Sequence, residues 1–159
     1  MSDVVMVTGA AGFIGANFAH YWAKHHPDDT VVAYDALTYA GNRENLAGLE
    51  GRDNFCFVHA DICDQDKVEA TLREHSINRI VHFAAESHVD RSITGPDAFI
   101  ETNIVGTHSL LKAAREVWLS GSGMEHRFHH VSTDEVYGSL LPGAPGFYEE
   151  QKYEPNSPY

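Results

Sequence analysis

At 159 residues, with 43% hydrophobic and 21% charged side chains, the chain has the size and make-up of one globular domain able to bury a core. Its 23 acidic against 11 basic residues give a formal net charge of −12. That balance argues against a nucleic-acid partner and against adhesion to a membrane surface, both of which need a basic stripe.

In chain order, Val4–Thr8 is a short apolar run rich in β-branched residues and ending in glycine, which reads as a strand buried on both faces. Phe13 to about His25 reads as a helix with Ile14, Phe18 and Trp22 as its inner stripe. Thr30–Tyr34 is a second strand ending on Asp35, and Phe55–Ala60 a third. Asp64 is placed to cap a helix running to about His75, with Val68, Leu72 and His75 on one side. Arg79–Ala84 is a fourth strand. Pro96 and Asp97 open the longest helix, to about Trp118, with Ile100, Ile104, Thr107, Leu111, Ala114 and Trp118 in a 3.6-residue period. Arg127–Ser132 is a fifth strand. From Gly138 the texture changes, and four of the six prolines fall between Pro142 and Pro158, so 139–159 reads as loop, a lid in character.

Strands alternating with helices imply right-handed crossovers and an α/β fold with a doubly wound parallel sheet. Residues 1–159 are thus expected to form one such domain. Cys56 and Cys63 make no disulfide framework, no run approaches the roughly 20 apolar residues of a membrane span, and nothing before the first strand reads as a signal peptide. The expected location is cytoplasmic. The 11 histidines show no HExxH or CxxC spacing, so no metal site is expected. His129 and His130 adjoin a strand and would face opposite sides of it.

Gly9, Gly12 and Gly15 lie between the first strand and the first helix. Glycine there permits the tight turn, lets backbone amides approach a pyrophosphate and lets the helix start close to the sheet. Asp35 ends the second strand 20 residues beyond Gly15, the context a dinucleotide fingerprint demands. A carboxylate at that position accepts hydrogen bonds from ribose hydroxyls and repels a 2′-phosphate, which favours NAD over NADP. Arg43, near in sequence, either softens that preference or is a surface charge. Asp61 and Ile62, ending the third strand, suit an adenine pocket, although Asp61 alone fits a turn equally well. In Thr133-Asp134-Glu135, adjacent carboxyls at a strand end can divide the roles of base and acid, because like charges push their pKa values apart. An Asp–Glu pair capping a turn is the other reading.

The GxxGxxG spacing of Gly9, Gly12 and Gly15 resembles that of the extended short-chain dehydrogenase/reductase family. Leu37–Asn42, Ala84–Ser92, Ser132–Gly138 and Asn156–Tyr159 narrow the resemblance to its dTDP-glucose 4,6-dehydratase branch, over nearly the whole chain. The resemblance implies a Rossmann fold with NAD in a groove lined by Gly9, Gly12, Phe13, Ile14, Gly15, Asp35, Ala36, Leu37, Thr38, Asp61, Ile62, Phe83, Ala84, Ala85, Glu86, Ser87 and Thr102. It implies a nucleotide-sugar substrate, dTDP-glucose, touched by Ser87 and Thr133. Tyr159 would be the base on the sugar 4-hydroxyl, Glu135 would remove the C5 proton, Asp134 would protonate the departing 6-hydroxyl and Thr133 would orient the 4-oxygen. Members of the family pair as homodimers through the long helix that begins at Asp97. They also carry a YxxxK motif, whose lysine would be position 163 and which holds the tyrosine and the nicotinamide ribose. The substrate domain of the family likewise follows that point. The polypeptide of 159 residues is therefore expected to bind NAD weakly and not to turn over substrate by itself. Two other readings fit the same frame. One is a nucleotide-sugar 4-epimerase, which needs no acid–base pair at C5 and C6. The other is a non-catalytic module that binds dinucleotide. A GDP-mannose dehydratase is disfavoured, since the family implies NADP there and Asp35 disfavours it.

Overall fold

The computed structural model describes residues 2–120, 123 and 125–159. Five strands, β1 (Val4–Thr8), β2 (Thr30–Asp35), β3 (Phe55–His59), β4 (Arg79–His82) and β5 (Arg127–His130), form one sheet in the order β3-β2-β1-β4-β5. Every neighbouring pair is parallel. The chain winds outward from β1 through β2 to β3, then crosses back to β4 on the other side of β1. That reversal is the switch point of a doubly wound sheet, where a crevice opens at the strand C-termini.

The two inner strands show why the sheet carries a layer on each face. Val5 and Val7 of β1 point the same way as Val31 and Ala33 of β2, towards α1 (Phe13–His25). Met6, Val32 and Tyr34 point the other way, towards α2 (Gln65–Glu74) and α5 (Thr107–Trp118). All seven are fully buried, as a period of two requires in a sheet covered on both sides. Asp64 caps α2 by accepting a hydrogen bond from the Lys67 amide (3.0 Å), the sequence expectation. His75 closes that helix as its C-terminal cap, while Thr71 joins Val68 and Leu72 on the buried side.

The inner stripe of α1 differs from the expected one. Gly15, Ala16, Ala19 and Ala23 are its buried residues, whereas Ile14 is 62% exposed. Phe18 and Trp22 flank the core, half-buried, with the Phe18 ring 5.3 Å from Phe83. Small side chains let the helix sit close to the sheet, and hydropathy weighs them too lightly to reveal the contact face.

The long helical segment departs further. A short α3 (Val89–Thr94) precedes it, α4 (Asp97–Phe99) opens it, and a π-helical stretch (Ile100–Gly106) leads into α5. Its inward face carries Phe99, Gly106, Leu110, Ala113, Ala114 and Trp118. Of the expected stripe, Ala114 and Trp118 are buried, but Ile100, Ile104 and Leu111 are 50%, 63% and 48% exposed. The segment is apolar on two faces, and the wide π turn shifts the phase of the inner one. A methyl group added at Gly106 would lie 2.6 Å from Ile62 Cδ1, so that helix turn approaches the β3 edge as closely as glycine allows. The Trp118 indole fixes the far end by donating to the Ile77 carbonyl (2.8 Å).

Strands β3, β4 and β5 end one or two residues earlier than their apolar runs suggest. The Phe83 amide still bonds the Thr8 carbonyl (3.2 Å), but the Ala84 amide turns to the Thr8 hydroxyl (3.3 Å). The chains peel apart there, which opens the crevice. Beyond Tyr137 the described residues contain no strand or helix, as the proline-rich texture suggests. No helix among the described residues is long and apolar enough to cross a membrane.

His82 ties the layers together beneath the crevice. Its Nδ1 meets the Thr8 hydroxyl (2.7 Å) and its Nε2 the Thr107 hydroxyl (3.0 Å). The ring is 1% exposed. Burial, with a lesser push from His130, lowers its pKa to about 4. An unfolded histidine titrates near 6.5, so the native state excludes a proton that the unfolded state accepts. Stability is therefore complete above about pH 6.5 and falls as pH drops from there towards 4, by roughly 3 kcal/mol from this residue. Comparing chemical denaturation across that window in the wild type and His82→Gln should show a smaller loss in the variant.

Candidate functional site

The crevice at the switch point is a cleft of about 310 Å³ floored by the turn between β1 and α1. Gly9 takes φ +65°, and a side chain there would press within 2.7 Å of the Ala84 amide. A methyl group on Gly15 would collide with the Gly9 carbonyl and stand 3.0 Å from Ala10 Cα. Gly12 starts α1 without any side-chain cap. The first helical amides, which have no partner within the helix, are left facing the cleft, and the helix dipole makes that end electropositive.

Asp35 forms the next wall. Its Oδ2 accepts from the Ala11 amide (2.8 Å) and its Oδ1 from the Leu37 amide (2.7 Å). The residue is only 8% exposed. Two backbone bonds leave further acceptor positions on a carboxylate, and Asp35 lines the cleft. Leu37 adopts φ 51°, strained for a leucine, and packs under the turn rather than into the cleft. The Asn42 amide and the Asn45 side-chain amide both donate to the Ala11 carbonyl (3.0 and 2.8 Å), holding this wall against the glycine turn.

At the β3 side, Tyr34 donates its hydroxyl to the Asp61 carbonyl (3.0 Å), and the Asp61 carboxylate receives the Cys63 amide (2.9 Å). Asp61 is thus a turn residue and also a cleft residue. Ile62 is 4% exposed, wedged against Gly106. On the β4 side, Phe83 to Ser87 line the cleft, and Asn103 of the π-helical stretch grips Glu86 by both backbone groups (2.9 and 2.9 Å).

Apart from Leu37, the groove residues expected from the sequence all line this one cleft. Tyr34, Ala40, Gly41 and Ala60 line it too and were not foreseen. Gly41 had a readable signal as a glycine in a loop: a methyl group there would lie 2.7 Å from Asp35 Oδ1. Asn103 had none, being one polar residue in a helical run.

Thr133, Asp134, Glu135 and Tyr159 lie outside the walls of the cleft. Thr133 follows β5, so it stands at the same C-terminal edge of the parallel sheet as the glycine turn, Asp35 and Ser87. It caps a single 3₁₀ turn (Asp134–Tyr137), its hydroxyl accepting from the Glu135 amide (3.2 Å). Asp134 and Glu135 are exposed in the first turn. The chain then loops out and returns. The Glu154 amide bonds the Val136 carbonyl (2.9 Å), and Tyr137 contacts the Phe147 and Tyr153 rings at 5.2 and 5.4 Å. That return carries Tyr159 to an edge contact with Phe99 of α4 (6.2 Å). Among the described residues no three histidine, cysteine, aspartate or glutamate side chains gather as a metal-holding group.

A parallel sheet in this order, with a glycine turn and an acid at its switch point, defines a Rossmann-type domain of the short-chain dehydrogenase/reductase kind. Residues 6–159 match the GDP-mannose 4,6 dehydratase family model, and the chain belongs to that family. It is 49% identical over 166 aligned residues to dTDP-glucose 4,6-dehydratase 1 of Escherichia coli (strain K12), covering 98% of this chain and 46% of the relative. Among solved structures it resembles DesIV, a dTDP-glucose 4,6-dehydratase from Streptomyces venezuelae with NAD and TYD bound. There the TM-score is 0.87 at 47% identity, covering 98% of this chain and 47% of that one. It also resembles a UDP-glucose 4-epimerase from Brucella ovis in complex with NAD, with a TM-score of 0.82 at 28% identity, over 99% of this chain and 43% of that one. The chain spans about half the length of the curated relatives it matches.

The glycine contacts can be checked directly. Gly15→Ala should cost about 1–3 kcal/mol in urea denaturation, because backbone must move to admit the methyl group. Gly146→Ala, where nothing lies within 4 Å, should be near neutral.

Proposed function

We propose that this chain is the NAD-binding half of a dTDP-glucose 4,6-dehydratase. The observation that carries the reading is that one sheet edge presents both the glycine-floored cleft with Asp35 and, two strands away, the Thr133–Glu135 turn. The near-half identity to dTDP-glucose 4,6-dehydratases, against 28% for an epimerase of the same fold, supports dehydration over epimerisation.

The cleft fits a dinucleotide. Gly9 and Gly15 let the turn pack against Ala84 and against its own backbone more closely than any side chain would allow, beside the uncapped amides of α1, which suit a pyrophosphate. Asp35 retains acceptor positions for the adenosine ribose hydroxyls, and its negative charge disfavours the 2′-phosphate of NADP. Asp61 and Ile62 would flank the adenine. When bound, NAD supplies the acceptor that takes hydride from sugar C4 and returns it to C6.

The residues of this chain handle the protons. Tyr159 takes the proton of the 4-hydroxyl, and Thr133 hydrogen-bonds the 4-oxygen. Oxidation at C4 makes the C5 proton acidic, and Glu135 removes it. Asp134 protonates the departing 6-hydroxyl, which leaves as water and gives a 4-keto-5,6-ene; return of the hydride to C6 and of a proton to C5 then gives the 4-keto-6-deoxy sugar. Ser87, at the cleft rim, also touches the sugar nucleotide. The exposed stripe of Ile100, Ile104 and Leu111 supports pairing of the enzyme as a homodimer through this helix.

In the enzyme containing this chain, Glu135→Gln should leave oxidation at C4 measurable as NADH absorbance while slowing overall turnover by about 10²–10⁴-fold. Exchange of the C5 hydrogen with deuterated solvent should be lost in parallel. A variant that exchanges C5 at the wild-type rate would remove Glu135 from that role. A product that keeps its 6-hydroxyl would favour the epimerase instead.

A further inference from the structure

The segments after β2 and β4, which supply opposite walls of the cleft, touch each other through side chains. Tyr39 lies between the lining residues Thr38 and Ala40 in the loop after β2. On the other side, Arg91 of α3 sets its guanidinium over the Tyr39 ring, 4.4 Å from the centroid. The carboxylate of Glu86, itself a lining residue of the loop after β4, stands near enough to the Tyr39 hydroxyl for its charge to act on it. Desolvation and the Glu86 charge raise the Tyr39 pKa, so the phenol keeps its proton.

Both ends of this connection are anchored. Asn103 holds the Glu86 backbone by its amide and its carbonyl (2.9 and 2.9 Å). The Tyr39 loop is held by the Leu37 amide on Asp35 and the Asn42 amide on Ala11 (2.7 and 3.0 Å). A contact between two fixed walls spans the opening rather than following a loose side chain.

We propose that Tyr39, Glu86 and Arg91 form a bar over the mouth of the cleft that retains the bound dinucleotide through the catalytic cycle. This rests on the dehydratase reading above and deepens it. In that reaction the hydride taken from a sugar must return to the same sugar. A reduced cofactor that escaped between the two transfers would strand the keto intermediate. A dehydrogenase that exchanges its cofactor at every turnover has no such need. The bar places an aromatic ring and a cation, with an anion beside them, where release must break the cation–π stack that joins the two walls.

The test loads the enzyme containing this chain with NADH, chases it with excess NAD and follows the decay of NADH fluorescence. Tyr39→Ala should speed release by about tenfold or more. Tyr39→Phe, which keeps the stack on Arg91, should release NADH more slowly than Tyr39→Ala and closer to the wild type. Arg91→Ala should also speed release. Tyr39 is 56% exposed, so the melting temperature without nucleotide should hold within a few degrees in the Tyr39 variants, which separates retention from a folding defect. Release at the wild-type rate in both Tyr39→Ala and Arg91→Ala would overturn the bar while leaving the nucleotide site intact. Failure of the wild-type enzyme to take up NADH would overturn the nucleotide site and the bar with it.

Discussion

The carboxylate of Asp35 is the point on which the site depends. It lies almost out of water at the end of β2, where an unpaired charge would be costly. The Ala11 amide of the glycine turn and the Leu37 amide of the next loop satisfy it. Those two bonds fix the turn against β2 and pull Leu37 into a left-handed conformation. They also leave the carboxylate facing the cleft. One group therefore shapes the cleft and sets its preference among ligands.

Close packing completes what Asp35 begins. Glycine at positions 9, 15, 41 and 106 lets backbone or helix approach where any side chain would intrude. The apolar layers on either face of the sheet hold those approaches in place. Beneath them, the Thr107–His82–Thr8 chain of hydrogen bonds couples α5 to β1, and the Thr8 hydroxyl receives the Ala84 amide. The wall at Phe83–Ser87 is thus fixed from below by His82 and from the side by Asn103. Both residues act by positioning, and neither lines the cleft.

Much of this was legible in the sequence. Strands β1 and β2 carry short apolar runs rich in β-branched residues, so their extent, and the burial of β1 on both faces, follow from the sequence. The glycine turn and Asp35 stand out because their spacing has a physical purpose. The contact faces of α1 and of the long helical segment were not legible. Alanine, glycine and threonine make the close contacts there, while larger apolar residues such as Ile104 face outward. The π-helical stretch has no periodic signature, and α3 is too short and polar to show one. The pairing of Tyr39 with Glu86 and Arg91 joins residues about 50 positions apart, and only the switch-point topology brings their loops together. Thr133–Glu135 illustrates a double reading. The residues do form a capped turn, and the same turn sits on the sheet edge where chemistry would occur.

The most direct test of the account is calorimetric titration of the chain with NAD and with NADP. Binding of NAD at one site, at least about tenfold tighter than NADP and with that preference abolished in Asp35→Ser, is the result expected from a carboxylate reading the ribose. Equal or tighter binding of NADP, or a preference unchanged in Asp35→Ser, would contradict it.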